Sequence, residues 1–259
     1  MQRDDKHTGV LLLFYINSQG KDVITMTVYA DNAATTQIAP QVLEAMLPYL
    51  KEQYGNPSTL YRLGRESKIA IEKARSQVAQ AIDAREEEIF FTGSGTESDN
   101  MALKGVLYGP AAKGKKGLIT TKMEHHAILH TAQALEKEGF QVAFLDVDSQ
   151  GLVDLEQLKE AIGPDTALVS IMAANNEVGS IQPLEEIGAI CRERGVLFHT
   201  DAVQAFGHIP IDVNKMNIDL LSLSAHKING PKGAGALYIR KGLSLRPVIE
   251  GGGQERNRR

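Results

Sequence analysis

The chain has 259 residues, 28 Lys and Arg against 32 Asp and Glu, and one Cys. A hydrophobic share of 42% and a charged share of 23% are those of a globular protein, and exclude a disordered, collagen-like or coiled-coil chain. A net charge of −4 argues against a basic nucleic-acid surface; a single Cys excludes an internal disulfide or a Cys-rich metal centre and suits a reducing, cytoplasmic setting.

The first apolar run is Val10 to Ile16, VLLLFYI. It is far shorter than the roughly 20 residues that span a bilayer. Asp4 and Asp5 and the lack of a small-residue cleavage site argue against a signal peptide. It reads as a short buried strand or a leader. Patterned sequence begins at Met26-Thr27-Val28-Tyr29, and codons for Gly20-Lys21-Asp22 suit a purine-rich ribosome-binding stretch. Met26 is therefore expected to be the true start, with residues 1–25 a non-native upstream extension.

Apolar runs of strand length then alternate with amphipathic stretches. Strands are predicted over 88–92, 117–121, 141–147, 166–173, 196–200, 219–224 and 235–240. Helices are predicted over 66–82, 97–107, 127–138, 155–162 and 184–194. Asp154 with Gln157 resembles a capping box, and Pro183 suits a first helical turn. This alternation predicts an α/β fold with a mostly parallel sheet sandwiched by helices, in one domain over residues 26–259. Ligands of such sheets sit at the carboxyl ends of the strands, so polar residues there are the candidates.

After the strand ending at Thr92 comes Gly93-Ser94-Gly95-Thr96-Glu97-Ser98-Asp99-Asn100, a small-residue turn into a helix N-terminus that suits a phosphate or is a plain turn. Gly109 to Lys116 imitates a P-loop, yet position 116 lacks the hydroxyl and the segment precedes a strand, so it reads as a solvated loop. After Thr121 comes Glu124-His125-His126, with His130 beyond. His126 and His130 have a helical metal-ligand spacing without a local third ligand, so no metal site is assigned; alternatively one His stacks on a flat ring and carries protons. Asn175-Asn176 can donate to a ligand or form a turn. Asp201 caps a helix or pairs with a cationic ring nitrogen. Lys227, just behind a buried strand, is a candidate Schiff-base amine whose proton affinity desolvation lowers. A phosphate cup, a stacking His, a carboxylate and a buried Lys are together the set that pyridoxal phosphate needs.

The chain closely resembles the cysteine desulfurases, fold-type I, class V pyridoxal phosphate enzymes. The resemblance is carried by Tyr29 to Thr36 (YADNAATT), Gly55 to Ser58 (GNPS), Thr92 to Asn100 (TGSGTESDN), Glu124-His125-His126, Asn175 to Gly179 (NNEVG), His199 to Gln204 (HTDAVQ) and Ser224 to Gly233 (SAHKINGPKG). It implies that Lys227 holds the cofactor as a Schiff base. Asp201 pairs with the pyridine nitrogen and Gln204 with the phenolic oxygen. His125 stacks on the ring and transfers protons. Gly95, Thr96, Ser224 and His226 hold the phosphate, and Asn176 lies beside the ring. The catalytic residues so implied are Lys227 and His125.

The family converts L-cysteine to L-alanine and leaves a persulfide on a loop Cys, which feeds iron–sulfur scaffolds or tRNA-thiolation enzymes. Its members are homodimers. No direct nucleic-acid or membrane partner is implied. Family members run on into a small C-terminal domain that carries the loop Cys, which this chain is expected to lack. Cys191, inside a predicted helix, reads as a packing residue. The chain is thus expected to bind cofactor without completing sulfur transfer. Alternatives are a selenocysteine lyase, another class V enzyme, or a non-catalytic remnant.

Overall fold

A strand that is apolar on both faces needs cover on both sides, and the strands here are of that kind. The computed structural model describes residues 10–16 and 23–259. Strand β1 (Val10–Ile16) pairs antiparallel with β2 (Val23–Tyr29), Val10 opposite Tyr29. Gly20-Lys21-Asp22 and residues 1–9 lie outside the described residues.

The main sheet has seven strands: β3 (Ile89–Thr92), β4 (Gly117–Thr121), β5 (Gln141–Leu145), β6 (Thr166–Ser170), β7 (Leu197–Asp201), β8 (Leu220–Ser224) and β9 (Gly235–Ile239). Their order is β3-β9-β8-β7-β6-β4-β5, and only β9 runs antiparallel to its neighbours. The central strands β4, β6 and β8 are buried throughout.

The helices are α1 (Pro40–Lys51), α2 (Arg62–Gln80), α3 (Gly95–Leu107), α4 (His126–Lys137), α5 (Leu155–Ala161) and α6 (Leu184–Arg194). One apolar cluster joins Leu103, Val106, Ile128 and Leu135 of α3 and α4 to Leu118, Leu168 and Leu237. A second joins Leu158, Ile187 and Ile190 of α5 and α6 to Val169, Phe198 and Leu221. The expected helix-sandwiched α/β sheet is the observed one. Among the described residues no helix is long and apolar enough to cross a membrane.

Several details differ from expectation. The predicted strands end earlier where the chain already turns: β5 stops at Leu145 and β6 at Ser170. Asp154 caps α5, its Oδ1 accepting from the Glu156 and Gln157 amides at 2.8 and 3.2 Å, without the reciprocal bond of a capping box. Pro183 is the N-cap of α6 rather than its first residue. Helix α1 is absent from the sequence reading: Pro48 lies inside it and removes one ladder hydrogen bond, and none of its residues is buried.

An ion pair fixes the outer strand. Arg75 of α2, 3% exposed, donates to the Ile89 carbonyl at 2.6 Å and to Glu255 at 2.7 and 3.2 Å. Glu255 also accepts from the Phe91 amide at 2.8 Å. Removing one member of a desolvated pair strands the other, a loss of about 3 kcal/mol. We expect Arg75→Ala to lower the urea unfolding free energy by about that amount. A change below about 1 kcal/mol would contradict a desolvated pair.

Candidate active site

The carboxyl ends of β3, β4, β6, β7 and β8 open into one cavity of about 550 Å³. Gly95, Thr96, His125, Asn176, Asp201, Gln204, Ser224, His226 and Lys227 all line it. The structure brings together every residue singled out from the sequence for this site.

At the end of β3, Ser94 caps α3, its hydroxyl accepting from the Glu97 amide at 3.1 Å. The Gly95 and Thr96 amides then fall in the first helical turn, where no carbonyl lies four residues behind to take them. The positive helix end adds to them. Gly95 is required by contact, not by φ: a Cβ there would sit 2.7 Å from Val203 Cγ2.

At the end of β4, His125 caps α4, its Nδ1 accepting from the Ala127 amide at 3.1 Å. That bond leaves Nε2 as the ring nitrogen available to the cavity. His126 and His130 stack on each other with centroids 5.0 Å apart. The three donors brought within 4.8 Å are instead Asp99, His125 and Asp201. Glu124, beneath His125, accepts from the Thr121 hydroxyl at 2.8 Å and the Met172 amide at 3.0 Å. Burial pushes its carboxyl up to about 8.

After β6 the two amides divide the alternatives. The Asn175 side chain accepts from the Glu177 and Val178 amides at 2.8 and 2.9 Å and is the turn former. Asn176 is left on the cavity wall.

Asp201, the last residue of β7, accepts from the Val203 amide at 2.9 Å. Burial raises its carboxyl, opposed by that amide and by His125 and Lys227. Lys227 closes a 3₁₀ turn behind β8. Burial lowers its amine, and Asp201 and Asp31 act against that. Its Nζ donates to the carbonyls of Ala33 and, at 3.0 Å, Ala34.

The Asp31–Ala39 segment therefore closes the site, a role the sequence reading did not assign. The Thr36 amide and hydroxyl donate to the His226 carbonyl at 2.8 and 2.9 Å. The Asn229 amide donates to the Thr36 hydroxyl at 2.7 Å. The Gln204 side chain donates to Ala33 at 2.8 Å, and His226 Nδ1 meets the Thr35 hydroxyl at 3.0 Å. The motif YADNAATT was visible, but its partners lie some 190 residues away. Asp99 was missed too; its spacing of three from Thr96 on one helix face was the available signal.

Across the sheet, His199 bridges Ser170 (Nδ1, 2.8 Å) and Ser222 (Nε2, 3.0 Å). Burial holds its imidazole down at about 3. The unfolded chain takes up that proton near 6.5, so this contribution is full above pH 6.5 and is lost as pH falls toward 3. We expect the wild type to lose about 2 kcal/mol relative to His199→Asn between pH 7 and 5, read by urea unfolding. A constant difference would show a charged or solvated ring.

Cys191 lies in α6, 1% exposed, its thiol pushed up to about 12 by burial and Asp219, and it does not line the cavity.

The family model for class-V aminotransferases matches residues 28–258. "Cysteine desulfurase IscS" of Methanosarcina thermophila is 56% identical over 245 residues, 94% of this chain and 60% of that protein. The mitochondrial cysteine desulfurase of Saccharomyces cerevisiae is 55% identical over 240 residues, 91% of this chain and 48% of that protein. Among solved structures, SspA in complex with cysteine superposes with a TM-score of 0.85 at 44% identity, covering 88% of this chain and 66% of that one. A NifS-like protein gives 0.84 at 48% identity, covering 88% and 62%. The chain thus spans 60% of the length of the Methanosarcina relative.

Proposed function

The chain belongs to the class-V aminotransferases, and from that premise we propose that it is a cysteine desulfurase-like protein whose cavity takes pyridoxal 5′-phosphate. The observation that carries the reading is convergence: a lysine amine, a buried carboxylate, an imidazole and a helix N-terminus from separate strand ends meet in one cavity.

The residues fit the cofactor. The narrow approach at Gly95 leaves a cradle that a Cβ would fill. The Gly95 and Thr96 amides with Ser224 and His226 would hold the phosphate. Asp201 would face the ring nitrogen and Gln204 the phenolic oxygen. Asn176 would lie beside the ring, His125 would lie over it, and Lys227 would bind the aldehyde carbon. When bound, the cofactor supplies an electron sink for a substrate carbanion.

The chain's own groups do the rest. Asp201 holds a negative charge where the ring nitrogen would lie. His125 moves a proton at Nε2, because Nδ1 is occupied. Lys227, with its lowered proton affinity, accepts and returns a proton at Nζ. The Asp31–Ala39 segment lies against Lys227 and holds its amine.

The substrate is L-cysteine, as the relatives' names and the cysteine-bound solved relative support. The product is L-alanine, with the sulfur going to a catalytic Cys and on to an iron–sulfur scaffold or a tRNA-thiolation enzyme. Cys191 is not assigned as that acceptor, being sealed in the core. The protein acts in the cytoplasm as a homodimer. Exposed Leu43, Tyr49 and Leu50 of α1, with Leu60 and Tyr61, offer apolar surface for a second copy.

The test is a titration with pyridoxal 5′-phosphate followed by visible absorbance, then addition of L-cysteine. A saturable visible band that L-cysteine perturbs is expected. Folded protein without a band would overturn the reading.

A further inference from the structure

Beside Asp201 lies a second buried carboxyl that the proposed chemistry leaves unused. Asp99, in α3, is 1% exposed, and its Oδ1 has no hydrogen-bond partner. Its carboxyl lies within 4.8 Å of both Asp201 and His125 Nε2 or Nδ1. Burial, then Asp201, raises its proton affinity, and the Ser222 hydroxyl acts against them. Ser222 also meets His199 Nε2 at 3.0 Å, and His199 Nδ1 meets the Ser170 hydroxyl at 2.8 Å. Burial keeps His199 neutral. Its Nε2, which meets Ser222, stands 3.9 Å from Asp99 Oδ1.

The groups facing Asp99 are Asp201 from β7 and Glu124 from the end of β4, with His125 at the head of α4 and His199 within β7. Two anions this close in a site poor in water repel strongly, so the pair retains a proton. Asp201 has the Val203 amide, His125 and Lys227 to stabilise a charge. At Asp99 only the Ser222 hydroxyl acts that way, and Oδ1 has no hydrogen-bond partner.

We propose that Asp99 is a positioning residue that acts through Asp201: it stays a neutral carboxylic acid, so that the pair presents one negative charge, held on Asp201, to the cavity. The inference rests on Asp201 being the carboxylate that meets the cofactor ring nitrogen. The Ser170–His199–Ser222 chain, which crosses β6, β7 and β8, lies against the acid, with His199 Nε2 3.9 Å from its Oδ1.

The test uses the full chain with Asp99→Asn, which keeps the shape and a donor but removes the titration. Urea unfolding of the cofactor-free proteins is compared from pH 5 to 8. Asp99 is ionised in the unfolded chain there and neutral in the folded one. The wild-type unfolding constant should therefore rise relative to Asp99→Asn by about tenfold per pH unit. A merely structural role moves both proteins in parallel, so a flat ratio would overturn the proposal. Asp99→Ala removes the same proton and should show the same trend at lower stability. In the second arm, Asp99→Asn should bind pyridoxal 5′-phosphate within about twofold of wild type. A loss of tenfold or more would show that an anionic Asp99 is needed, and would overturn the proposal. A wild type with no visible band overturns the cofactor reading; a flat ratio with the band intact overturns only the role of Asp99.

Discussion

Lys227→Ala is expected to abolish the visible absorption band expected of the wild-type chain with pyridoxal 5′-phosphate. The amine is the proposed nucleophile: it lines the cavity, burial lowers its proton affinity, and Asp201 acts on it from the same cavity. The Ala33 and Ala34 carbonyls hold it in place. Lys227→Arg keeps the charge and the donors but cannot form the covalent link, so it also gives no band. Both variants should fold, because losing these half-exposed hydrogen bonds costs about 1 kcal/mol. A band of wild-type intensity in either variant would remove Lys227 from the assigned role.

Asp201→Asn separates binding from stability. A truncated charge pair in a buried site loses about 100-fold in cofactor affinity. The cofactor-free protein moves the other way. Burial raises the Asp201 carboxyl above 3.8, so its contribution is full at low pH and is lost as pH rises through the folded value. Above that value Asp201→Asn removes a poorly solvated anion, and the apoprotein becomes more stable than wild type by about 1 kcal/mol. Equilibrium dialysis and urea unfolding at pH 8 read the two effects. A variant that binds normally, or that loses stability and affinity together, would contradict an electrostatic role.

The legible part of the site shares one feature. Gly95, His125, Asn176 and Lys227 each follow, and Asp201 ends, a strand that its own apolar run announces. A parallel sheet carries the ends of such strands to one edge, so position in the chain implies position in space. The start of α5 was legible at Asp154; Ser94 and His125 also cap helices through bonds spanning two or three residues, though they were not read as caps. The strand ends were less sharp, since an apolar run continues past the last ladder hydrogen bond, as at Val147 and Ala173.

The illegible part depends on contacts between distant residues. No local pattern says that Thr36 will receive the Asn229 amide, or that Glu255 will take the free amide of Phe91 on the outer strand. Helix α1 carries a Pro and buries none of its residues, so neither propensity nor core periodicity marks it.

The sequence by itself determined the α/β layering, the strand-end positions of the polar groups and the family, because hydrophobic period and short motifs are local properties of the chain. Only the tertiary structure decided that Asp31–Ala39 folds over Lys227, that Asn175 turns the chain while Asn176 faces the cavity, and that Asp99 stands beside Asp201. Those outcomes follow from which buried groups find partners and which charges must share a proton, and only the packed fold brings those groups within reach of one another.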